Sequence, residues 1–412
     1  MSKLVKIAVR NLLRYKRRTL LTASLITLGV VFVLVFTSVT GSFKAMMIAQ
    51  NTDSMLGHLQ IHRKGYVASI DNLPLNLNLK GGAIARLEQI LDAEPEIAAW
   101  SPRIKFGAMF STFVETTNIR LNGIDPAREL QAVPLLADRV VEGEKTLAPG
   151  GIWVPELLAR GMKVKVGDTV VIVATNQDGS VNGRQFKVAG IMESATGPGG
   201  RDGYIHIEDA AEVLRLEERG ISEVAVRLGD FDRLAAVSAR LEELLAAERN
   251  QQGKPIFEVH TWEKLSPFFN IARMIDVMTF FMKLMLIAIV LVSIMNVMIM
   301  AVYERIREIG TIAAIGTRPG RILAMFLLEG LSLGVVGAVL GNMTGALIIA
   351  LLNGAHITYD FGRQTGLVLR AAVDPADMLA LSAIVIVISV VASLQPAFKA
   401  SRMDPIKALR HV

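Results

Sequence analysis

The stretch that decides the fold runs from Lys283 to Arg321 and reads KLMLIAIVLVSIMNVMIMAVYERIREIGTIAAIGTRPGR. Residues 284–303 carry no charge, and a helix needs about 20 such positions to cross a hydrocarbon core of about 30 Å. Charged and apolar residues then alternate with helical spacing until Pro319 and Gly320. The stretch therefore predicts a membrane-spanning helix followed by a short amphipathic helix at the membrane surface.

The composition places the whole chain among integral membrane proteins. The 412 residues are 52% hydrophobic with a mean hydropathy of +0.43, which is too apolar for an ordinary soluble enzyme. The chain has no cysteine, so disulfides, thiolate nucleophiles and cysteine metal sites are excluded.

Three further uncharged runs predict three further spans, and a basic start with a long apolar run predicts a retained signal-anchor helix. The fold class is an α-helical membrane protein with four transmembrane helices and a large mixed α/β extracytoplasmic domain inserted between helices 1 and 2. The predicted segments are a basic N-terminus (1–18), span one (19–43), the insert (44–270), a stalk with span two (271–303), a connecting helix (304–321), span three (322–352), a connection (353–377), span four (378–398) and a tail (399–412).

Charge is distributed unevenly between these segments. Residues 44–270 hold 25 Lys and Arg against 30 Asp and Glu, which gives a net charge of −5. Since the whole chain has a net charge of +6, the remaining residues carry +11. Basic residues border the spans at the N-terminus, in 304–321 and in the tail, so the positive-inside rule predicts that both termini are cytoplasmic and the insert is periplasmic. The basic residues form no groove with aromatic partners, so nucleic-acid binding is not indicated.

The insert reads as mixed α/β. Alternating patterns predict strands, helical spacing predicts helices, and a small β subdomain is expected at about 150–207 around a turn at Asp178–Ser180. The predicted strands are 57–62, 118–124, 164–173, 184–191, 224–226 and 256–259, and the predicted helices are 82–93, 208–216 and 230–248.

The sequence offers little catalytic chemistry. It contains no phosphate-loop motif, and Gly197–Gly203 lacks the lysine of one, so a flexible hairpin is expected there and no ATPase in this chain. His58 and His62 could share a strand face, but without a third ligand they are expected to be solvated rather than to bind a metal. No cofactor is expected on this chain.

Three features of the spans are informative. A ridge of small residues on the third span predicts close helix packing, within or between subunits. A methionine stripe beside Phe281 is expected either to pack against helices or to line an entry for an acyl-bearing substrate. Asp276 and Lys283 are expected to pair or to reach the headgroups. The ridge is Gly330, Gly334, Gly337, Gly341 and Gly345, and the stripe is Met274, Met278, Met282 and Met285.

These patterns together resemble the FtsX/MacB-type permease superfamily of ABC transporters, and most closely its lipoprotein-releasing LolC/LolE-like members. The resemblance is carried by the order of one span, a large insert and three spans, and by the segment after span two. The matching motifs are Lys6–Leu12, Val166–Asp168, Glu304–Gly316 and Pro396–Arg410.

The resemblance implies a non-catalytic permease that works as a homodimer or heterodimer and binds two separate ATPase subunits, which carry the ATP and magnesium. It implies mechanotransmission, in which ATPase closure moves a coupling helix and the first two spans carry the motion to the insert. Ile306, Ile309 and Ile312 are expected to seat in an ATPase groove, with ion pairs from the charged residues; a merely solvated loop is the alternative. The coupling residues are Glu304, Arg305, Ile306, Arg307, Glu308, Ile309 and Gly310.

The resemblance favours extraction of lipoproteins from the outer leaflet of a bacterial inner membrane, with a periplasmic carrier as a partner. MacB-like efflux of macrolides or peptides through an adaptor is the second interpretation, although such permeases usually carry a fused ATPase and only 18 residues precede span one here. FtsX-like signalling to a periplasmic hydrolase is the third.

Overall fold

The computed structural model describes residues 10, 14, 16–194, 198–216, 218, 220–250, 252–356, 358–361, 364–368 and 370–409. Most of the Lys6–Leu12 motif, part of the Gly197–Gly203 segment and Arg410 lie outside these residues. The chain divides into two units. The helical unit comprises 1–45, 272–359 and 366–412, and the insert domain comprises 46–271 with 360–365.

Twelve α-helices are described. In chain order they are α1 (Lys16–Asn51), α2 (Gly81–Ala93), α3 (Pro126–Ala132), α4 (Glu156–Gly161), α5 (Ile207–Val213), α6 (Leu234–Ala246), α7 (Trp262–Leu265), α8 (Phe269–Glu304), α9 (Ile306–Ala314), α10 (Pro319–Gly354), α11 (Pro375–Ser401) and α12 (Pro405–Leu409).

The described residues also form fourteen strands. These are β1 (Leu59–Arg63), β2 (Leu79–Lys80), β3 (Ile97–Ser111), β4 (Thr116–Ile124), β5 (Val140–Gly143), β6 (Gly151–Pro155), β7 (Thr169–Thr175), β8 (Val181–Met192), β9 (Asp202–His206), β10 (Gly220–Ile221), β11 (Glu223–Leu228), β12 (Phe257–Thr261), β13 (Thr358–Phe361) and β14 (Gln364–Val368).

Four of the described helices are long and apolar enough to cross a membrane, namely α1, α8, α10 and α11. Each helix begins before or ends after the uncharged run that predicted it, because helix-forming polar residues continue the helix beyond the apolar segment. Their buried faces form one apolar core, to which α1 contributes Ile26 and Val30, α8 contributes Val290 and Ile294, and α10 contributes Phe326.

The insert domain is built on one ten-stranded sheet in the order β12-β1-β11-β3-β4-β9-β6-β8-β5, with β7 paired to β3 and β8. Among the described pairs of this sheet, β4–β9 and β6–β8 are parallel and the others are antiparallel. The expected subdomain at 150–207 does not form a sheet of its own. Its strands β7 and β9 are hydrogen-bonded to β3 and β4, because β3 is long enough to pair with both β4 and β7.

The strand predicted at 164–173 begins later, at Thr169. Lys163 and Gly167 have φ angles of 54° and 95°, which interrupt an extended run, and Val164 is buried as a loop residue. The predicted turn at Asp178–Ser180 does join β7 to β8, with Gly179 at a φ of 82°.

The two histidines expected to be solvated are buried. His58 is 5% exposed, and its Nδ1 accepts a hydrogen bond from the Leu228 backbone N–H. His62 is completely buried in β1, 3.6 Å from Glu223 and stacked on Tyr66. The error arose because β1 is covered on both faces, so alternation in the sequence did not identify a solvent side.

Candidate functional site

The helical conformation is interrupted at one residue between the second span and the short helix that follows it. Helix α8 ends at Glu304, and Arg305 takes non-helical angles of φ −115° and ψ 19° before α9 begins at Ile306. The Arg305 carbonyl accepts the Ile309 N–H at 2.9 Å, so it starts α9 rather than continuing α8. The amphipathic segment is therefore a separate helix joined to the span by a single residue.

Arg305 is buried and binds residues of its own chain, so its guanidinium is not presented to another protein. It is 6% exposed, its Nη1 donates to Glu329 of α10 at 2.8 Å, and its Nε donates to Glu308 at 3.1 Å. Its guanidinium also lies 5.7 Å from the Phe326 ring centroid. Burial acts to lower the pKa of Arg305, but Glu329 and Glu308 more than offset it and raise the pKa, so the side chain stays charged.

The apolar face of α9 is covered by its own chain. Ile306 and Ile309 are 7% and 2% exposed, which corrects the expectation that they seat in an ATPase groove. A Cβ on Gly310 would lie 2.7 Å from the Ala408 Cβ of α12, so glycine is required there for close packing. Amphipathic spacing in the sequence identified this face correctly but not what covers it.

Other residues of α9, and residues that flank it on both sides, are open to solvent. Tyr303, Ile312 and Ile315 are 66%, 36% and 80% exposed, and Glu304 and Arg307 are exposed beside them. Glu308 is half-buried and accepts a hydrogen bond from Arg14 Nη1 at 3.1 Å. We call Tyr303, Glu304, Arg307, Ile312 and Ile315 the exposed α9 surface, and its mixture of charge and large apolar side chains suits protein docking.

The glycine ridge of α10 contacts two different helices. Cβ atoms at Gly330 and Gly334 would lie within 3 Å of Ser393 and Ser389 of α11. Equivalent atoms at Gly337, Gly341 and Gly345 would lie within 3 Å of α1 side chains. The ridge thus brings both neighbouring backbones close to α10 inside one chain, and the five residues on α1 and α11 that it meets are Ile26, Val30, Leu34, Ser389 and Ser393.

The methionine stripe lies on an open part of α8. Met274, Met278 and Met285 are 55%, 44% and 56% exposed, and Phe281 is 60% exposed; Met282 is partly buried. Asp276 pairs with Lys44 of α1 at 2.6 Å rather than with Lys283. Because the neighbouring Val277 is also exposed, this part of α8 presents a broad apolar surface.

Sequence reasoning missed Glu329 and Ala408 as members of the site. Glu329 was visible as an acid inside the predicted third span, and an ionisable residue within a span is a signal of function. Ala408 carried no signal. Among the described residues, no group of three or more His, Cys, Asp or Glu could hold a metal ion.

Two family models match the chain. One described as the MacB-like periplasmic core domain matches residues 19–244, and one described as FtsX-like permease C-terminal matches residues 280–405. The lipoprotein-releasing system transmembrane protein LolC of Neisseria meningitidis serogroup B is 24% identical over 419 residues, which cover 95% of this chain and 94% of that protein.

Other relatives match part of the chain. The pyoverdine export ATP-binding/permease protein PvdT of Pseudomonas putida is 32% identical over 54% of this chain and 33% of its own length. Among solved structures, the periplasmic region of MacB from Actinobacillus actinomycetemcomitans aligns with 51% of this chain and 92% of its own, with 14% identity and a TM-score of 0.36.

Proposed function

The chain belongs to the family of FtsX-like permeases with a MacB-like periplasmic core domain, and from this premise we propose that it is the non-catalytic permease subunit of an ABC transporter driven by a separate ATPase. The ATPase subunits would hold ATP and magnesium, and a second permease chain would complete the dimer. The observation that carries the proposal is the exposed α9 surface, whose large apolar and charged side chains remain uncovered beside the face that the chain itself covers.

Force applied to the exposed α9 surface has two physical routes into the helical unit. Arg305 links α9 to α10 through Glu329, and the same residue is the single junction between α9 and α8. The packing of Gly310 on Ala408 adds a contact with α12. A partner that moves α9 would therefore move α8 and α10 with it, which is the mechanical requirement for transmission to the insert domain.

Orientation follows from charge. Lys and Arg flank the α8–α10 connection and the tail, which favours a cytoplasmic α9, cytoplasmic termini and a periplasmic insert domain in a bacterial inner membrane. This arrangement puts the exposed α9 surface where a cytoplasmic ATPase can reach it.

We propose release of lipoproteins from the outer leaflet as the activity, because the LolC relative matches along nearly the whole of both chains. The open methionine surface of α8 supports this assignment, since flexible thioether side chains adapt to irregular acyl chains. MacB-like export of macrolides or peptides is the second candidate, favoured by the relatives that combine ATP-binding and permease segments. FtsX-like signalling to a periplasmic partner, without transport, is the third.

Substitution of Ile315, the most exposed residue of the exposed α9 surface with a large apolar side chain, tests the coupling role. Ile315→Asp should leave folding intact, because the side chain is 80% exposed, but reduce co-purification with the ATPase and permease-dependent ATP hydrolysis at least about tenfold. Leu157→Asp, which changes a residue 52% exposed in the insert domain, is the matched control and should bind the ATPase normally. Normal coupling in Ile315→Asp and in Arg307→Glu would refute the assignment.

Gly310 and Glu308 give a less direct test. Any side chain at Gly310 must displace Ala408. Loss of the Glu308 carboxylate removes the acceptor of the hydrogen bond from Arg305 Nε. Bulky substitution at Gly310 or charge reversal at Glu308 should uncouple ATP hydrolysis from release while the insert domain stays folded, as monitored by tryptophan fluorescence.

Photo-crosslinking separates the candidate activities. A crosslinker at Met278 or Met285 should capture a lipid-anchored protein in membranes, whereas one at Val387, which is 58% exposed on α11, should not. ATP-dependent transfer of that protein to a soluble carrier supports release. Capture of a macrolide or of a periplasmic hydrolase instead would favour the second or the third candidate.

A further inference from the structure

Lys283 lies at the end of span two that adjoins the insert in sequence. The next 20 residues of α8, 284–303, are uncharged, so at a rise of about 1.5 Å per residue Lys283 stands about 30 Å from the far end of the apolar run. This length matches the thickness of a hydrocarbon core and places Lys283 at the level of the lipid headgroups. In the proposed orientation, these headgroups belong to the outer leaflet.

The Lys283 ammonium has no partner within the part of the chain that the structure describes. Lys283 is half-buried, yet it forms no hydrogen bond or ion pair with any described residue. By contrast, Lys44 of α1 is paired, because its Nζ lies 2.6 Å and 2.7 Å from the two carboxylate oxygens of Asp276. A cation that has lost part of its water at the edge of a membrane needs an anion in compensation.

A hydroxyl group accompanies this ammonium. Thr279 precedes Lys283 by four residues, so the two side chains lie on one face of α8 and one turn apart. Hydroxyls in helices often donate to the carbonyl four residues earlier, as those of Thr40, Ser332 and Ser382 do. The Thr279 hydroxyl forms neither this bond nor any other with the described residues. Two hydrogen-bond donors are therefore available together on α8.

The surroundings of these two donors favour an anion that carries an apolar chain. The Asp276 carboxylate is already paired with Lys44, so Lys44, Asp276 and Lys283 together carry a net charge of +1. Beside Lys283, Phe280 and Leu284 are 63% and 48% exposed, and Leu284 begins the uncharged run. An anion bound at Lys283 therefore meets an apolar surface that continues along the span.

We propose that Thr279 and Lys283 bind the phosphate of an anionic phospholipid. The ammonium and the hydroxyl donate to the phosphate oxygens, which are strong acceptors, and an acyl chain lies along Phe280 and Leu284. A lipid suits the site better than a soluble anion, because the apolar surface starts one residue after the cation. The inference rests on α8 spanning the membrane and does not require the proposed transport activity.

Native mass spectrometry of the full chain in detergent micelles tests the site. Titrations with phosphatidylglycerol and with phosphatidylcholine of the same acyl chains compare an anionic headgroup with a zwitterionic one. The first phosphatidylglycerol molecule should bind at least about fivefold more tightly, which is the effect of about one hydrogen bond to a charged group. Equal affinity for the two lipids would overturn the proposal.

Substitutions on α8 locate the binding. Lys283→Gln should weaken phosphatidylglycerol binding at least about fivefold, and Thr279→Val, which removes only the hydroxyl, at least about twofold. Lys283→Arg keeps a cation and should retain the preference for the anionic lipid. Both positions are partly exposed, so the variants should fold. Unchanged binding in Lys283→Gln would place the lipid elsewhere and overturn the proposal.

Arg273→Gln is the matched control. Arg273 is an exposed cation of the same helix with no hydroxyl side chain one turn away, and its loss should leave the preference for phosphatidylglycerol unchanged. A loss as large as that in Lys283→Gln would show that binding follows the total charge of this part of α8, and the assigned site would be wrong.

A soluble phosphate offers the same acceptor oxygens as the lipid headgroup. Inorganic phosphate and glycerophosphoglycerol, which is the same headgroup without acyl chains, represent this source. Neither should displace phosphatidylglycerol when added in excess, because neither contacts Phe280 and Leu284. Displacement by either compound would assign the two donors to a soluble anion and overturn the lipid assignment.

Discussion

Two arginines, one in each unit, are held by pairs of glutamates in very different surroundings. Arg103 of β3 is bound by Glu129 and Glu223, and all three are at most 2% exposed. Arg305 is bound by Glu329, which is 3% exposed, and by Glu308, whose side chain is 43% exposed. The Arg103 network is buried from solvent, which we call sealed, whereas the Glu308 side chain of the Arg305 network is partly exposed to solvent and is called its open arm.

The difference indicates different mechanical roles. The Arg103 network joins strands β3 and β11 and helix α3 inside one sheet, where breaking any pair leaves a charge without water. The Arg305 network joins a short helix to a span, and its Glu308 arm can exchange for water at low cost. The first arrangement holds β3, β11 and α3 in fixed positions, and the second allows α9 to act as a hinged element.

The largest effect is expected from Arg103→Met, which leaves two buried carboxylates without their shared cation. Loss of one member of a buried ion pair costs about 3–5 kcal/mol of unfolding free energy. Denaturant unfolding of the full chain can be followed by tryptophan fluorescence, because Trp100, Trp153 and Trp262 all lie in the insert domain.

A triple variant provides the control for Arg103. Replacing Arg103, Glu129 and Glu223 together by Met, Leu and Leu removes the three fully buried charges and leaves Lys105, whose side chain is 18% exposed, to be hydrated, so it should recover most of the lost stability. A loss below about 1 kcal/mol in Arg103→Met would show that the network is not sealed, and the contrast with Arg305 would fail.

Arg305→Met should have an intermediate effect, because the buried Glu329 then loses its contact with the Arg305 guanidinium while Glu308 can turn to solvent. We expect a loss of about 1–3 kcal/mol, measured by reversible unfolding of the full chain in mixed micelles. Arg305→Lys keeps the charge and should lose less. A loss as large as that of Arg103→Met would mean that Glu308 is held as rigidly as the buried acids.

The sequence predicted local features of the fold well and long-range contacts poorly. Apolar runs identified the four spans, and alternation identified β1, β4 and β8, because both signals depend only on near neighbours. Arg103 meets Glu129 and Glu223 across 26 and 120 residues, and that meeting depends on the sheet order. No local pattern encodes the order, so the network could not be predicted.

The candidate site shows the same limit at shorter range. The spacing of Ile306 and Ile309 correctly predicted an amphipathic helix, but a single sequence does not distinguish a face covered by α12 from one left open for a partner. Arg305 was grouped with the exposed charges for the same reason. Its buried position depends on Glu329, 24 residues away on the next span.

Acid should destabilise the sealed network in a defined direction. The pKa of Glu223 is well below its ordinary value of 4.5 in the folded protein, despite burial, because of Lys105, His62 and Arg103. Its contribution to stability is therefore present above pH 4.5 and is lost as the pH falls below that value. The loss is at most about 1.4 kcal/mol per pH unit for one group.

Glu223→Gln tests the acid response by removing the titrating group. Its unfolding free energy should start lower than that of the wild type at neutral pH and fall less steeply below pH 4.5. The pKa of Asp53 is also lowered, because His58 and Arg227 outweigh burial, but Asp53 is present in both proteins and so does not distinguish them. Parallel pH profiles for the two proteins would show that Glu223 is not the acid-sensitive member.

The smallest effect is expected from Arg14→Ala, which removes the outer contact of Glu308. The two side chains are 64% and 43% exposed, and such pairs contribute about 0–1 kcal/mol, less at high salt. Lys145→Ala breaks a similarly exposed pair with Asp138, with side chains 56% and 64% exposed, and is the matched control in the insert domain.

Comparable small losses in both variants, each reduced further by salt, would support an open Glu308 arm. A loss above about 1 kcal/mol for Arg14→Ala alone would make Arg14 a structural part of the Arg305 network, and α9 would then be fixed rather than hinged.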